Sequence, residues 1–495
     1  MDSRIDIVLN ERIGGINPNV YGHFAEHIGA CIYEGIWVGE QSPIPNTGGI
    51  RNDVVNALRR INAPVIRWPG GCFADDYHWQ DGIGPQQQRP KRMNLHWGQV
   101  VETNAFGTHE FARFCRMVGA EPYICGNVGT GSPQELRDWV EYCNFPGGTT
   151  WADLRAANGD PDPLKVRYWG VGNESWGCGG CFTPEDYASQ CRRFGAFIPR
   201  LGGTTPFLIA CGPSGNDLDW TTRFFEKLRK SRPVGPAIHG YAAHYYCGTA
   251  GTSTEYSPDD WYALLCQANR MEPLVVQQRA AMDVFDPQRS VGLVVDEWGT
   301  WHPADPGRNA KLCWQQNTMR DALVAALTLD IFNRHADKVV MADIAQTVNV
   351  LQAMILTDGD RMLTTPTYHV FDMYQPHQGG TSVRALFGAP SIACPKGELL
   401  GVAGSASVKG NTLTLTVVNL QADAPAEAGI QVHGGASLSS VQEWVLAHKD
   451  IHAHNTFEQP GAVAPAGEKQ TPAEGTSFVH LFPPASVTRL DVRLS

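Results

Sequence analysis

The organisation of the chain is plainest in one short run, Val166-Arg167-Tyr168-Trp169-Gly170-Val171, which leads at once into Gly172-Asn173-Glu174. An apolar, β-branched run that stops at glycine and polar residues is typical of a buried parallel strand followed by a functional loop. The same pattern recurs along most of the chain, each time ahead of an amphipathic helical segment. The other runs are residues 20–24, 65–68, 122–126, 207–211, 241–245, 291–295 and 339–344.

The segments between these runs carry helix signals. Ser132-Pro133-Gln134-Glu135 places an N-cap serine before a proline at the first helical position and a glutamate three residues after the cap. Thr183 begins a similar helix that extends to Arg193, and the last helical segment lies near residues 368–374. Eight strands with eight helical segments predict a (β/α)₈ TIM barrel. An open doubly wound sheet is the alternative, but it requires a glycine-rich nucleotide turn after its first strand, and this sequence has none there.

The pattern changes after residues 376–380. Leu413-Thr414-Leu415-Thr416-Val417 alternates between apolar and polar side chains, and turn residues recur at short intervals. These features predict a C-terminal antiparallel β-sandwich, jelly-roll-like, with residues 455–476 as one long loop. Residues 5–9 alternate in the same way, and we expect this N-terminal strand to join the sandwich. The predicted domains are a barrel over residues 18–378 and a sandwich made of residues 1–17 and 379–495.

Composition excludes several classes of function. The 39 basic and 50 acidic residues give a net charge of −11, which does not fit a nucleic-acid-binding protein. The sequence has no apolar run of 18 residues to cross a membrane, and the N-terminal residues do not resemble a secretory signal, so we expect a cytoplasmic protein. Phosphate-loop and nucleophile-elbow motifs are absent, and His109-Glu110 lacks the second histidine of a zinc protease motif. We therefore expect no cofactor.

The cysteines predict thiols rather than cross-links or a metal site. Their number, 13, is odd, and many lie inside apolar segments, as Cys115, Cys143, Cys191 and Cys211 do. Scattered cysteines of this kind are expected to be reduced and buried. The stretch 178–181 is a single C-x-x-C, and a structural zinc site would require a second pair at similar spacing.

Two glutamates stand where predicted barrel strands end. Glu174 follows Asn173 after the fourth strand, and Glu297 lies between Asp296 and Trp298 after the seventh. In a barrel enzyme the active site gathers at the carboxyl ends of the strands. Cleavage of a glycosidic bond needs one carboxylic acid to protonate the leaving oxygen and one carboxylate to meet the anomeric carbon. The pair therefore predicts a glycoside hydrolase.

Several longer stretches, taken in order, resemble the α-L-arabinofuranosidases of glycoside hydrolase family 51. The resemblance extends from about residue 5 to the C-terminus. The matching stretches are residues 21–29, 67–79, 169–174, 296–298 and 452–458.

The resemblance implies a retaining, exo-acting mechanism in which Glu297 is the nucleophile and Glu174 the acid/base. The two carboxyl groups are then expected about 5–5.5 Å apart. The substrate is expected to be an arabinose-containing oligo- or polysaccharide, such as arabinan or arabinoxylan, and the protein is expected to be a hexamer or another homo-oligomer. The substrate-binding residues that the resemblance implies are Glu26, Arg67, Cys72, Asn173, His244, Tyr246, Trp301 and Gln346.

Cys72 is a departure from the family pattern, because many members carry asparagine at this position. A thiol is a poor hydrogen-bond partner for a sugar hydroxyl, so we expect Asp75 or His78 to supply the missing contact. The Cys178–Cys181 stretch, which resembles an insertion after Glu174, is expected to narrow the subsite beyond the furanose.

Two other functions are consistent with the same sequence. An endo-β-1,4-glucanase or a β-xylosidase on this scaffold would keep both glutamates. A non-catalytic carbohydrate-binding protein is the alternative from a different class, although two glutamates at strand ends favour an enzyme. A flavin- or nicotinamide-dependent barrel oxidoreductase is a further and weaker alternative.

Overall fold

A computed structural model describes residues 3–201, 203–230, 238–248, 250–304, 307–395 and 397–495. Its strands are β1 Ser3–Gly15, β2 Gly22–Phe24, β3 Asn46–Thr47, β4 Ile50–Arg51, β5 Val65–Trp68, β6 Arg92–Met93, β7 Val101–Glu102, β8 Glu121–Gly126, β9 Tyr168–Val171, β10 Phe207–Ala210, β11 Gly240–Gly248, β12 Gly292–Trp301, β13 Val339–Ala345, β14 Ile355–Asp358, β15 Arg361–Thr364, β16 Thr381–Gly388, β17 Ser391–Cys394, β18 Gly397–Leu400, β19 Val402–Lys409, β20 Thr412–Asn419, β21 Ala426–His433, β22 Leu438–Leu446, β23 Ala466–Pro472, β24 Ser477–Phe482 and β25 Ser486–Leu494. Its α-helices are α1 Asn52–Arg60, α2 Thr108–Val118, α3 Pro133–Asn144, α4 Thr150–Ala157, α5 Pro184–Gly195, α6 Leu218–Arg229, α7 Pro258–Asn269, α8 Met271–Asp283, α9 Met319–Arg334 and α10 Pro366–Tyr374.

Within the described residues, eight parallel strands close into a barrel in the order β2-β5-β8-β9-β10-β11-β12-β13. The last strand pairs with the first, with Asp343 opposite Gly22. Gly22 permits this close approach, because a Cβ atom there would lie 2.1 Å from an Asp343 carboxylate oxygen. The predicted TIM barrel is confirmed, and the doubly wound alternative is wrong.

Two barrel strands are longer than the sequence pattern predicted. β11 continues to Gly248 and β12 to Trp301, and the two pair with each other over this extension, with Tyr245 opposite Trp298. Glu297 therefore lies on a strand rather than in a loop. The first barrel strand begins later in the sequence than predicted. Residues 20–21 belong instead to a 3₁₀ turn, Pro18–Tyr21, which is capped by the Asn17 side chain.

The inside of the barrel is filled by side chains that lie nearer the start of the strands than Arg67, His244 and Glu297 do. This cluster comprises Val65, Tyr123, Tyr168, Ile209, Ala242, Val294 and Met341. Large apolar side chains in layers make the barrel a packed core, so a site can form only at its rim. The predicted helix signals operate as expected: the Ser132 hydroxyl accepts a hydrogen bond from the Glu135 N–H at 3.1 Å at the start of α3.

The C-terminal part is one nine-stranded, mostly antiparallel sheet in the order β23-β22-β25-β20-β19-β16-β1-β21-β24. β1 pairs antiparallel with β16 and parallel with β21, which confirms that the N-terminal strand joins this sheet. The predicted long loop is wrong in part, because β23 forms within it. Pairing with β22 stabilises β23, and the Pro, Ala and Gly content of the segment hid this strand.

The sheet packs against the barrel through α9. Asp330 on this helix accepts hydrogen bonds of 2.6 Å from Ser405 and from Thr416 of the sheet. We propose residues 18–378 as the barrel domain, with residues 1–17 and 379–495 as the second domain. No helix in the described residues is both long and apolar enough to cross a membrane.

Candidate active site

Glu174 and Glu297 meet at the carboxyl ends of the barrel strands. An oxygen of Glu174, an oxygen of Glu297 and a ring nitrogen of His244 all lie within 4.8 Å of one another. A retaining pair of carboxyl groups is separated by about 5–5.5 Å, whereas an inverting pair stands about 6.5–9.5 Å apart to hold a water molecule. The spacing in this site therefore fits direct attack by one carboxylate on the sugar.

Glu297 is fixed by a hydrogen bond to each of its oxygens. The Arg67 guanidinium donates to Oε1 at 2.7 Å, and the Tyr246 hydroxyl donates to Oε2 at 2.8 Å. The Glu297 side chain is buried, and hydrogen bonds to a carboxylate are strong when water is excluded. This orientation suits a nucleophile, which must present one oxygen to a defined point in space.

Arg67 joins several parts of the site. Its Nη2 donates to the Asn173 side-chain oxygen at 2.6 Å, its Nε lies 3.5 Å from an Asp296 carboxylate oxygen, and it covers the Phe24 ring at 4.4 Å. Burial raises the pKa of Asp296, but Arg67 and His244 outweigh it and hold that pKa well below its usual range. Asp296 is therefore a fixed negative charge behind the site.

His244 links the two ends of this charge network. Its Nδ1 lies 3.0 Å from Oε1 of Glu174, and its Nε2 lies 3.1 Å from Oδ1 of Asp296. Burial lowers the pKa of His244, but the carboxylates of Glu297, Asp296 and Glu174 outweigh it and raise this pKa to about 10. With both nitrogens engaged, we propose that His244 positions Glu174, where the resemblance implied a contact with the sugar.

The backbone at Glu174 is held in an uncommon conformation. Its φ angle is +38°, in the left-handed region, which costs a residue other than glycine about 1–3 kcal/mol. Hydrogen bonds on both sides stabilise the turn: the Asn173 N–H donates to Asp75, and the Gly177 N–H donates to the Glu174 carbonyl at 2.7 Å. The turn directs a partly exposed carboxyl group toward Glu297.

Glu26 forms a second group of polar contacts at the rim. Its Oε1 accepts hydrogen bonds from the Gly71 N–H, the Phe73 N–H and the Trp97 indole, and its Oε2 accepts one from the Gln346 amide at 3.0 Å. Burial, with the nearby charge of Glu297, raises the pKa of Glu26 to about 7. A carboxyl group held so rigidly can accept hydrogen bonds from sugar hydroxyls.

Aromatic rings form one wall of the site. Trp301 is 40% exposed and lies 5.4 Å from Tyr246 and 6.4 Å from Trp97, measured between ring centres. An exposed indole beside polar side chains suits stacking on the apolar face of a sugar. All the predicted substrate-binding residues except Cys72 keep the functional group on which the prediction rests, and their contact with a sugar stays a prediction.

Cys72 is the exception, because it is not a thiol in this structure. It forms a disulfide with Cys178, which contradicts the expectation of reduced cysteines for these two residues and leaves Cys72 no thiol to bind a hydroxyl. The expected replacements have other roles: Asp75 accepts backbone N–H bonds from Val128, Gly129 and Asn173, and His78 contacts Glu135 at 2.9 Å. Neither side chain is available for the sugar through those atoms.

Three residues of the site were not among those predicted from the sequence: Asp296, Trp97 and Cys178. Asp296 precedes Glu297 at the end of the predicted strand, so its place in the sequence was a usable signal. Trp97 lies in a segment without strand or helix periodicity, and its contact with Glu26 crosses 71 residues, so no local pattern indicated it. The disulfide joins residues 106 positions apart, which spacing within a motif cannot show.

Two groups of side chains in the described residues have the spacing of metal ligands. One consists of Glu174, His244 and Glu297, in which both nitrogens of His244 are already engaged. The other consists of Cys72, Glu174 and Cys178, in which the two cysteines are joined by the disulfide.

Gly71 is required for the position of Glu297, the predicted nucleophile. A Cβ atom at this residue would lie 2.7 Å from Oε1 of Glu297, so no other residue fits without displacing that carboxyl group. We expect Gly71→Ala to lower kcat/KM by about 100-fold, because misplacement of a catalytic group by about 1 Å has an effect of this size. Hydrolysis of an aryl glycoside measures this loss. Gly461→Ala is the matched control, since a Cβ atom there would meet nothing within 4 Å; equal activity in the two variants would contradict the prediction.

Comparisons with known proteins agree over nearly the whole chain. The model of the α-L-arabinofuranosidase 1 domain matches residues 57–256, and that of the α-L-arabinofuranosidase C-terminal domain matches residues 296–486. The chain is 41% identical to an intracellular exo-α-L-arabinofuranosidase of Bacteroides ovatus, over 97% of this chain and 93% of that protein. The crystal structure of the GH51 arabinofuranosidase from Xanthomonas axonopodis pv. citri superposes with a TM-score of 0.95 at 42% identity, covering 99% of this chain and all of that one. That of the Thermotoga maritima α-L-arabinofuranosidase arabinose complex gives 0.88 at 31% identity, with the same coverage.

Proposed function

The chain belongs to the α-L-arabinofuranosidases of glycoside hydrolase family 51, and from this premise we propose that it releases terminal α-L-arabinofuranosyl residues with retention of configuration. One observation carries the proposal: two carboxyl groups have oxygens within 4.8 Å of each other at the barrel rim, and one of them is held by Arg67 and Tyr246. The proposal includes the roles of Glu174 and Glu297 and of the residues that contact them.

In the first step, Glu297 attacks the anomeric carbon while Glu174 gives its proton to the leaving oxygen. The C–O bond to the leaving group breaks as the bond to Glu297 forms, so a glycosyl ester of the enzyme and a free alcohol result. The Glu174 carboxylate that remains after proton transfer lies 3.0 Å from the His244 ring, whose pKa is raised to about 10 and whose positive charge stabilises it. Arg67 and Tyr246 keep Glu297 in line throughout.

In the second step, Glu174 accepts a proton from water, and the water oxygen attacks the anomeric carbon. The ester bond to Glu297 breaks, and L-arabinose leaves with the configuration of the substrate. Two inversions at one carbon give net retention. Glu26, Asn173 and Gln346 are proposed to bind the hydroxyl groups of the furanose, and Trp301 to cover its apolar face.

The natural substrates are proposed to be arabinan, arabinoxylan or their oligosaccharides, because these polymers carry terminal arabinofuranosyl groups. The comparisons give no support to an endo-β-1,4-glucanase, a β-xylosidase or a non-catalytic binding protein. We further propose a cytoplasmic location and a homo-oligomeric state such as a hexamer. The Bacteroides ovatus relative, which is named intracellular, supports the location; light scattering on the purified protein tests the oligomeric state.

The test of the function is hydrolysis of a nitrophenyl α-L-arabinofuranoside, followed by proton NMR before the product equilibrates. We expect α-L-arabinose as the first product. The same protein should act only weakly on the nitrophenyl β-xyloside and on carboxymethylcellulose. If the β anomer forms first, the double displacement is wrong, and a preference for the β-xyloside or the cellulose derivative would contradict the substrate class.

A further inference from the structure

The Cys72–Cys178 disulfide lies against the proposed acid/base. It connects the loop after β5 with the loop after β9, and the Cα atoms of the two cysteines are 5.5 Å apart. The Cys72 sulfur is 3.9 Å and the Cys178 sulfur 3.6 Å from the same oxygen of Glu174, Oε2. All three side chains are partly exposed, so solvent reaches them. The proposed reaction needs neither sulfur, yet both contact one of its two carboxyl groups.

These three side chains have the geometry of a metal site once the sulfurs separate. Zinc binds thiolates at about 2.3 Å and carboxylates at about 2.0–2.2 Å, so tetrahedral coordination sets sulfur–oxygen distances of about 3.6 Å and a sulfur–sulfur distance of about 3.8 Å. The two sulfur–oxygen distances in the structure, 3.6 and 3.9 Å, already fit. Only the two sulfurs must move apart. Reduction allows this because it breaks the bond between them, and it also produces the thiolates that bind zinc, which disulfide sulfur does not do well.

The two oxygens of Glu174 face different neighbours. Oε1 lies 3.0 Å from His244, whereas Oε2 is directed to the sulfurs, so a cation can take Oε2 without breaking the contact with His244. A cation bound there would occupy Oε2, the oxygen of Glu174 that His244 does not contact. Protonation of the leaving group and activation of water would both be blocked.

We propose that reduction of Cys72–Cys178 creates, together with Glu174, a site for one thiophilic divalent cation such as Zn²⁺, and that the bound cation switches the enzyme off. The inhibitory part rests on the proposed role of Glu174. A dithiol reductant supplies two electrons and two protons: its sulfurs join in a disulfide while the Cys72–Cys178 bond breaks and each cysteine becomes a thiol. Cation binding then releases both thiol protons to solvent, and water completes the coordination.

The experiment compares oxidised and reduced wild-type protein. One sample is reduced with dithiothreitol, which is removed by gel filtration under argon, and both samples are then dialysed against Zn²⁺. We expect the reduced protein to hold one more zinc ion per chain than the oxidised protein, to lose its activity, and to recover it with EDTA. Equal zinc content in the two forms, or zinc uptake without loss of activity, would overturn the proposal.

Variants locate the site. Cys72→Ser and Cys178→Ser should each abolish the extra zinc ion, whereas Cys181→Ser, an exposed cysteine of the same loop, should keep both uptake and inhibition. Uptake that persists in Cys72→Ser and Cys178→Ser contradicts the site. If the serine variants do not fold, alkylation of reduced Cys181→Ser protein gives the same information: mass spectrometry should find Cys72 and Cys178 modified and zinc uptake lost.

The zinc measurement does not depend on the assignment of Glu174 as acid/base. If that assignment fails, Glu174→Ala in zinc-free protein will show no rescue by azide, while the reduced wild type will still bind the extra zinc ion. If the metal site fails, the rescue will be seen, and the zinc content will not respond to reduction.

Discussion

Glu297→Ala is expected to abolish turnover, with a fall in kcat of about 10⁶-fold, the scale seen when a covalent nucleophile is removed. Without this carboxylate the glycosyl ester cannot form, and Arg67 and Tyr246 have nothing to orient. A 2-deoxy-2-fluoro arabinofuranoside with a good leaving group should label the wild type, as seen by a mass increase of the intact protein. The variant should show no label.

Added azide distinguishes loss of the nucleophile from loss of the fold. In Glu297→Ala, azide can enter the space left by the carboxylate and attack the sugar directly, which gives the inverted β-azide. Glu398→Ala, on an exposed position of β18, is the matched control and should have wild-type activity. A Glu297→Ala protein that keeps its activity or accepts the fluorosugar label would remove Glu297 as nucleophile.

Glu174→Ala is expected to slow the hydrolysis of natural glycosides by about 10²–10⁴-fold, the usual contribution of general acid–base catalysis. Substrates with very good leaving groups need little protonation, so their first step should be nearly unchanged and the glycosyl ester should accumulate. A pre-steady-state burst of dinitrophenolate measures this directly.

Azide should restore turnover of Glu174→Ala by attacking the ester without help from a base. Because the ester is formed by one inversion and azide adds a second, the product should be the α-azide, opposite to the product from Glu297→Ala. NMR of the two azides therefore assigns the two roles in one comparison. Recovery of the β-azide from Glu174→Ala, or no rescue at all, would contradict its role as acid/base.

Local sequence patterns predicted most of the architecture. The strand runs, the Ser132 cap and the alternation in residues 413–417 depend on which side chains face a core, and this periodicity is visible without any partner. The same reasoning placed Glu174 and Glu297 together, because parallel strands of a barrel present their carboxyl ends on one rim. The predicted contacts with the furanose came from the family resemblance rather than from these patterns.

The sequence by itself determined the alternation of strands and helices and the two carboxyl groups at strand ends, since both follow from periodicity within a few residues. Only the tertiary structure showed that β11 and β12 continue to pair as far as Gly248 and Trp301, and that β23 forms inside an apparent loop. It alone also showed that His244 contacts two carboxylates and that a disulfide lies beside Glu174. Each of these depends on which distant segments meet. Such contacts are set by the packing of the whole chain, so the sequence around either residue does not indicate them.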